Sequence, residues 1–293
     1  MKKRILYITC GIIFVIIMVY FIGYIRINSN QSEGIIVLTY HHFLPKKYKE
    51  KYYKENYYVL ETEKFEQQMK YLKENNYISI TPDKIECYIN KKCDIPKKAF
   101  IVTIDDGNIS SYYEALPILE KYGFNSINFI IGSRIGTKTI KLLDSNLNKF
   151  NFLGEDTIND IIDNHPSMTI GSHSDSLHGI DENGKQLYLT KTYEELLYDA
   201  EVSSKKLNNT KYMAYPFGGT NKDYQEALKN AKYKLAFTFN DDRKLNQDEN
   251  RFLLPRINIR SDYTIDDFKN KIECKITLKE YTKRIIKKII HRQ

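Results

Sequence analysis

The chain has 293 residues, enough for one large domain with a sizeable core or for two small ones. Lys and Arg number 45 against 37 Asp and Glu, a formal net charge of +8. The lysines are scattered and no nucleic-acid motif accompanies them, so nucleic acid is set aside as a partner in favour of anionic lipid or polymer, or a solvated basic surface. Four cysteines exclude a disulfide-rich framework, and no C-x-x-C metal pattern occurs.

The N-terminus differs from the rest. Lys2, Lys3 and Arg4 precede an uncharged apolar run from Ile5 to Tyr24. As a helix, such a run of about twenty residues is ~30 Å long, the thickness of a bilayer core. The flanking cations place the N-terminus in the cytoplasm and the body outside. A cleaved signal peptide fits less well, because Ile25-Arg26-Ile27-Asn28 has no small-residue cleavage site. Lipid attachment at Cys10 fits poorly after Thr9. Residues 1–27 are therefore expected to be an uncleaved single-pass anchor touching lipid through residues 5–24, and 28–34 a polar linker.

Strands and helices then alternate. Ile35–Tyr40 has strand length. Phe65, Met69 and Leu72 recur at helical spacing behind a Thr62 cap. Ile78–Ile80 is a short strand, and Thr81-Pro82 starts a helix. Ala99–Ile104 is a buried strand. Leu116–Tyr122 is a helix closed by Gly123, and Ser126–Ile131 another strand. Met168–Ser172 (strand), Thr192–Asn208 (helix), Tyr212–Tyr215 (strand), Lys222–Ala231 (helix) and Leu235–Phe239 (strand) continue the pattern. The alternation predicts an α/β fold with a parallel sheet, open or closed into a barrel, over residues 35–274. Residues 275–293 carry seven Lys or Arg against one Glu, with Ile285, Ile286, Ile289 and Ile290 as an apolar stripe. They are expected to form a basic amphipathic helix, docked on the domain or lying on a membrane. Cys87 and Cys93, six apart, could pair outside the cell, but free or loosely structural cysteines are the default expectation.

The chemistry gathers where the strands end. His41-His42 follows the first strand, Asp105-Asp106-Gly107 the Ala99–Ile104 strand, and His173, then His178, the Met168–Ser172 strand. Pro216-Phe217-Gly218 follows Tyr212–Tyr215, and Arg256 follows Leu253-Leu254-Pro255. In parallel α/β folds these ends share one rim, where sites are built. Two imidazoles and one carboxylate make a three-ligand metal site with open positions. A break at Gly107 would let both aspartates face the rim, one toward a metal and one toward its water, with a free imidazole to protonate a leaving group. Each element alone is weak, since Asp-Asp-Gly is a common turn and a histidine pair is commonly structural. Their joint order points to amide hydrolysis.

Thr103-Ile104-Asp105-Asp106-Gly107 resembles the T-F-D-D-G motif of the polysaccharide deacetylase (NodB-homology, carbohydrate esterase family 4) domain, and Gly171–His178 resembles its histidine motif. The five-residue histidine spacing, Leu38-Thr39-Tyr40-His41, Tyr215-Pro216-Phe217-Gly218 and Leu254-Pro255-Arg256-Ile257 resemble the branch acting on poly-β-1,6-N-acetylglucosamine. The resemblance implies a deformed (β/α) barrel and N-deacetylation of an extracellular N-acetylglucosamine polymer. It implies a divalent metal on Asp106, His173 and His178, with Zn²⁺ the default and Ni²⁺, Co²⁺ or Fe²⁺ fitting the same ligands. It implies Asp105 as base, His41 as acid (His42 a weaker substitute), Arg256 orienting the base, and the Phe217 N–H as oxyanion donor. Ile104 and Phe217 depart from the usual Phe and the frequent Tyr. Peptidoglycan or chitin-type oligomers are the rival substrates, and an inactive membrane-tethered polysaccharide-binding protein the rival class. Adjacent carboxylates are badly placed for a glycosidase. Association with a membrane polysaccharide synthase is a further expectation.

Overall fold

The computed structural model describes residues 11, 13–25, 33–140, 147–239, 241–274, 278, 281–283 and 285–286. The chain divides into two compact units, Gly34–Ile272 on one hand and Met1–Glu33 with Glu273–Gln293 on the other.

Among its described residues the larger unit contains ten strands: β1 (Ile36–Tyr40), β2 (His42–Leu44), β3 (Val59–Glu61), β4 (Ile78–Ser79), β5 (Ala99–Ile104), β6 (Ser126–Ile130), β7 (Met168–Ser172), β8 (Tyr212–Ala214), β9 (Leu235–Phe237) and β10 (Ile257–Asn258). Eight of them form one sheet in the order β10-β1-β5-β6-β7-β8-β9, with β4 beside β5, and every pairing is parallel. The two end strands are linked through the chain itself. Leu254, just before β10, bridges Phe237 of β9 and exchanges backbone hydrogen bonds with Ala236 and Thr238. The expected parallel α/β sheet is present, curved into a barrel-like wall.

The core explains the strand composition. All six residues of β5 are buried, as a parallel strand covered on both faces requires. On one face Val37, Ile101, Ile127, Phe129, Leu235 and Phe237 pack together with Ile85 of helix Pro82–Ile89. The other face meets helices Tyr193–Lys206 and Lys222–Asn230 through Met213, Ala236, Leu196, Ala200, Ala227 and Leu228. Register settles which residues emerge together. Thr39 pairs with Thr103, and Phe129 with Gly171. Side chains alternate along a strand, so His41, Asp105 and His173 all leave the strands on the face that carries Ile101 and Phe129.

Three expectations are corrected. Thr62 does not cap its helix: the N-cap is Glu61, without a side-chain cap bond, and the Thr62 hydroxyl donates to Glu114 instead. Arg256 does not follow a strand but precedes β10, so it reaches the site sideways. β2 and β3 form an unforeseen two-stranded sheet. The Thr81 cap, with Pro82 next, and the left-handed Gly123 end (φ 70°) occur as expected. Cys87 and Cys93 are joined in a disulfide, with Cα atoms 5.6 Å apart.

In the smaller unit, residues 13–25 are helical. The Tyr20 hydroxyl lies 2.6 Å from Thr282 Oγ1, and the Tyr20 and Tyr281 rings are 5.0 Å apart. Residues 5–10 and 12 of the expected membrane span, and most of the expected C-terminal helix, lie outside the described residues. Among the described residues, no helix is long and apolar enough to cross a membrane.

Candidate active site

Asp105 extends the β5 ladder by one step, its N–H donating to the Tyr40 carbonyl at 2.9 Å. Its side chain enters the barrel, where Arg256 meets it with two parallel bonds: Nη1 to Oδ1 at 2.7 Å and Nη2 to Oδ2 at 2.9 Å. Both groups are fully buried. Two of the three remaining guanidinium protons are also placed, Nε–H on the Thr238 carbonyl at 2.6 Å and Nη1–H on Thr103 Oγ1 at 3.2 Å. The fork therefore cannot rotate away from the carboxylate. Burial pushes the Asp105 carboxyl up, but the guanidinium and the nearby imidazoles outweigh it and hold it below the usual range. Asp105 is thus a fixed anion.

Asp106 would point to the opposite face if the strand continued. It does not, because Asp106 itself adopts a left-handed φ of 74° and Gly107 follows at 68°. The break therefore begins one residue earlier than Gly107. Aspartate tolerates this conformation better than most residues. Gly107 needs to be glycine on two counts: its φ is positive, and a Cβ there would lie 2.9 Å from the Ile130 side chain.

The turn brings Asp106 Oδ1 to 3.3 Å from His178 Nε2 and 3.7 Å from His173 Nε2. His173 Nδ1 lies 2.7 Å from the Ala214 carbonyl. A carbonyl only accepts, so Nδ1 carries the proton and Nε2 turns its lone pair toward Asp106. Burial lowers the His173 pKa to about 4, against the upward pull of Asp105 and Asp106. The ring is neutral at neutral pH, the state a metal ligand needs. The Asp106 carboxyl is pulled up by burial, but the His178 hydrogen bond and the imidazoles around it hold it well below the carboxylate range.

One carboxylate oxygen and two imidazole nitrogens lie within 4.8 Å of one another. Ligands bonded at ~2.1 Å around a tetrahedral ion stand roughly 3.4 Å apart. The donor set and its spacing fit a divalent cation with little adjustment.

A cavity of about 430 Å³ opens above these residues. Every site residue expected from the sequence lines it: His41, Asp105, Asp106, His173, His178, Phe217 and Arg256. The His41 ring lies between Tyr58 at 4.8 Å and Phe239 at 5.7 Å. Phe217 (φ 56°) stacks its half-exposed ring 4.7 Å from His178. His42 leaves on the opposite side from His41 but still reaches the cavity wall, with Nδ1 2.7 Å from Ser110 Oγ. Burial lowers its pKa to about 4.

Several contributors were not foreseen. Tyr58, Phe150, Phe152 and Phe239 wall the cavity from loops without sequence periodicity. Asp199, on helix Tyr193–Lys206, accepts hydrogen bonds from Asp175 N–H at 3.0 Å, Ser176 N–H at 2.7 Å and Ser176 Oγ at 3.0 Å. It thereby fixes the loop between His173 and His178. Its only sequence signal is an acid on the buried face of an otherwise ordinary helix.

Residues 92–236 match the polysaccharide deacetylase family. The match includes Asp105, Asp106, His173, His178 and Phe217, while His41 and Arg256 lie outside it and join the site through the fold. A poly-β-1,6-N-acetyl-D-glucosamine N-deacetylase of Staphylococcus aureus (strain MSSA476) is 26% identical over 212 residues, 71% of this chain and 69% of the relative. One of Staphylococcus epidermidis is 26% identical over the same share of this chain and 70% of its own. IcaB from Ammonifex degensii has a similar structure, with a TM-score of 0.66 and 23% identity over 84% of this chain and 99% of that one. A de-N-acetylase from Aggregatibacter actinomycetemcomitans gives 0.67 and 21% over 82% and 100%. Residues 92–236 thus match a polysaccharide deacetylase domain, and the chain around them has the fold that these solved structures share.

Proposed function

We propose that this protein removes acetyl groups from poly-β-1,6-N-acetyl-D-glucosamine outside the cell, with one divalent metal, Zn²⁺ by default, on Asp106, His173 and His178. The observation that carries the chemistry is the division of two adjacent aspartates. Asp105 is locked by Arg256, and Asp106 is turned onto two imidazoles. A cation bound there supplies a Lewis acid and a source of hydroxide at neutral pH. Asp105 takes the proton of the attacking water, and its forked partner keeps the accepting oxygen in place. His41 gives a proton to the departing amine. The Phe217 N–H donates to the oxygen that gains charge. The linkage preference is supported by the names of the relatives and by the five-residue histidine spacing.

The reading extends to location. Ten large apolar side chains between Ile13 and Ile25 are exposed, which suits a lipid-facing helix. The Cys87–Cys93 bond suits an oxidising compartment. Residues 5–24 then anchor the chain in the cell membrane, close to a synthase that extrudes the polymer.

The metal-loaded full-length chain, given β-1,6- and β-1,4-linked N-acetylglucosamine oligomers side by side, tests this through release of free amines. Amines from the 1,6-linked oligomers alone are expected. Preference for the 1,4-linked set would move the substrate to peptidoglycan or chitin, and amines from neither would overturn the reading.

A further inference from the structure

The cavity wall beside the metal triad holds buried polar atoms that the chemistry above leaves unused. His42 is 4% exposed and Asn108 2%. His42 Nε2, Asn108 Nδ2 and the Tyr53 hydroxyl are all buried without a hydrogen-bond partner. His42 and Asn108 both line the cavity. Tyr53 stands edge-on to His42, with ring centroids 5.9 Å apart, and Phe150 lies 5.2 Å from His42 and 5.1 Å from Tyr53. A buried polar atom left unpaired costs about 1–3 kcal/mol, so the two on the cavity wall, His42 Nε2 and Asn108 Nδ2, point to a ligand that satisfies them.

The surrounding bonds limit what these atoms offer. Ser110 Oγ accepts from the Phe43 N–H at 3.0 Å and lies 2.7 Å from His42 Nδ1. A hydroxyl has one proton and two lone pairs, so it either donates to Nδ1 or accepts from it, and His42 Nε2 is a donor in the first tautomer and an acceptor in the second. Asn108 Oδ1 accepts from the Ser110 N–H at 2.9 Å, which leaves its amide Nδ2–H₂ facing away from that bond. One serine therefore holds both side chains, Asn108 as a donor and His42 as a donor or an acceptor.

We propose that His42 Nε2 and Asn108 Nδ2–H form a polar pair that binds a ring hydroxyl of the sugar whose acetamido group is being hydrolysed, the hydroxyl accepting from Asn108 and either accepting from or donating to His42, with the rings of Phe150 and Tyr53 as its flank. This inference rests on the deacetylase reading and specifies how that site holds its sugar. A hydroxyl suits the pair better than a carboxylate because His42 already feels the Asp106 charge, which disfavours a second anion. With the acetamide carbonyl turned toward the triad, a ring hydroxyl is the neighbouring group that can both accept from Asn108 and pair with His42 in either tautomer, which an ether oxygen of the ring or the linkage cannot do. The pair is a specificity device: it makes no contact with the bond being broken.

The test combines three variants with altered substrates. His42→Phe removes the polar nitrogen and keeps a ring, His42→Gln restores a group that can donate or accept, and Asn108→Asp keeps the Ser110 bond while turning the Asn108 donor into an acceptor. The full-length, metal-loaded chains are assayed on N-acetylglucosamine oligomers and on mono-deoxygenated oligomers, each lacking one ring hydroxyl. The expected result is a KM about tenfold higher in His42→Phe and Asn108→Asp, with kcat within about twofold of wild type. His42→Gln should recover part of the loss. One deoxygenated oligomer should raise the wild-type KM by a similar factor and leave His42→Phe no worse than it already is. Metal content and melting temperature, equal across the set, separate this from misfolding. If wild type tolerates every deoxygenation, water satisfies the pair and the proposal fails. It fails equally if the variants lose kcat or metal with KM unchanged, because the residues then support Asp106. A wild type inactive on the unmodified oligomers contradicts the deacetylase reading itself and takes this proposal with it.

Discussion

Two regions of one site treat their charges in opposite ways. At the floor of the cavity, Asp105 and Arg256 are buried, joined by two parallel bonds and held by Thr238 and Thr103. At the wall, Asp106 and His178 are partly open and His173 is buried, and their nitrogens and oxygen face one another across gaps of 3.3 and 3.7 Å. The floor is held by its own bonds, whereas the wall sets three ligand atoms within 4.8 Å of one another, the spacing a divalent cation takes. The two carboxylates are neighbours in sequence, so the difference comes from backbone direction. Asp105 continues the strand, and Asp106 turns left-handed. Identical side chains acquire separate jobs through a change in one φ angle.

The comparison can be broken at the floor first. Arg256→Met should leave a buried carboxylate uncompensated and destabilise the fold by about 3–5 kcal/mol, read by denaturant unfolding. Turnover should fall by at least ~10²-fold. The pH effect has a definite sign. Arg256 depresses the Asp105 carboxyl below its ordinary 3.8, so the stabilisation exists above that value and is lost as pH falls through the native one. Without the guanidinium the carboxyl rises, and the acid limb of the activity profile should move to higher pH.

A weaker perturbation sharpens the wall. Asp199→Asn places an amide N–H against the donors from Asp175 or Ser176, loosening the loop between the two histidines. Metal affinity should drop by about tenfold while the unfolding transition moves little. Isothermal titration with Zn²⁺ measures it, and unchanged affinity would show that the loop needs no such anchor.

The smallest effect lies away from both regions and serves as the reference. His165 meets Glu120 at 2.6 Å and Asp160 at 3.3 Å, and these contacts raise its pKa above the ordinary 6.5, chiefly through the Glu120 hydrogen bond. Its contribution is present below 6.5 and disappears as pH rises through the native value. His165→Gln should lower the melting temperature at pH 6 and leave it nearly unchanged at pH 9. An equal drop at both would mean that the interaction is not ionic.

Much of the site was legible in the sequence because parallel strands place their chemistry at their ends. Ala99–Ile104 is an unbroken apolar run, and the polar residues that follow it had to stand at a rim. Alternation along paired strands then sets His41, Asp105 and His173 on one face. What was not legible depends on contacts remote in sequence. Asn108 and His42 become a pair only because Ser110 stands between β2 and the loop after β5. Tyr58 and Phe239 reach His41 from separate loops. Arg256 was found by resemblance, yet its route was misread, since it enters ahead of β10 and not from a strand end. Thr62 had the chemistry of a cap, but Glu114 offered its hydroxyl a better partner.

The central claim is that adjacent aspartates divide the work, one moving a proton and one holding the metal. Asp105→Asn and Asp106→Asn, compared for bound metal and for turnover on N-acetylglucosamine oligomers, test it most directly. The account predicts that Asp105→Asn keeps a full equivalent of metal while its turnover falls by ~10²–10⁴-fold, and that Asp106→Asn loses metal and activity together. Metal lost from Asp105→Asn but kept by Asp106→Asn would contradict the assignment.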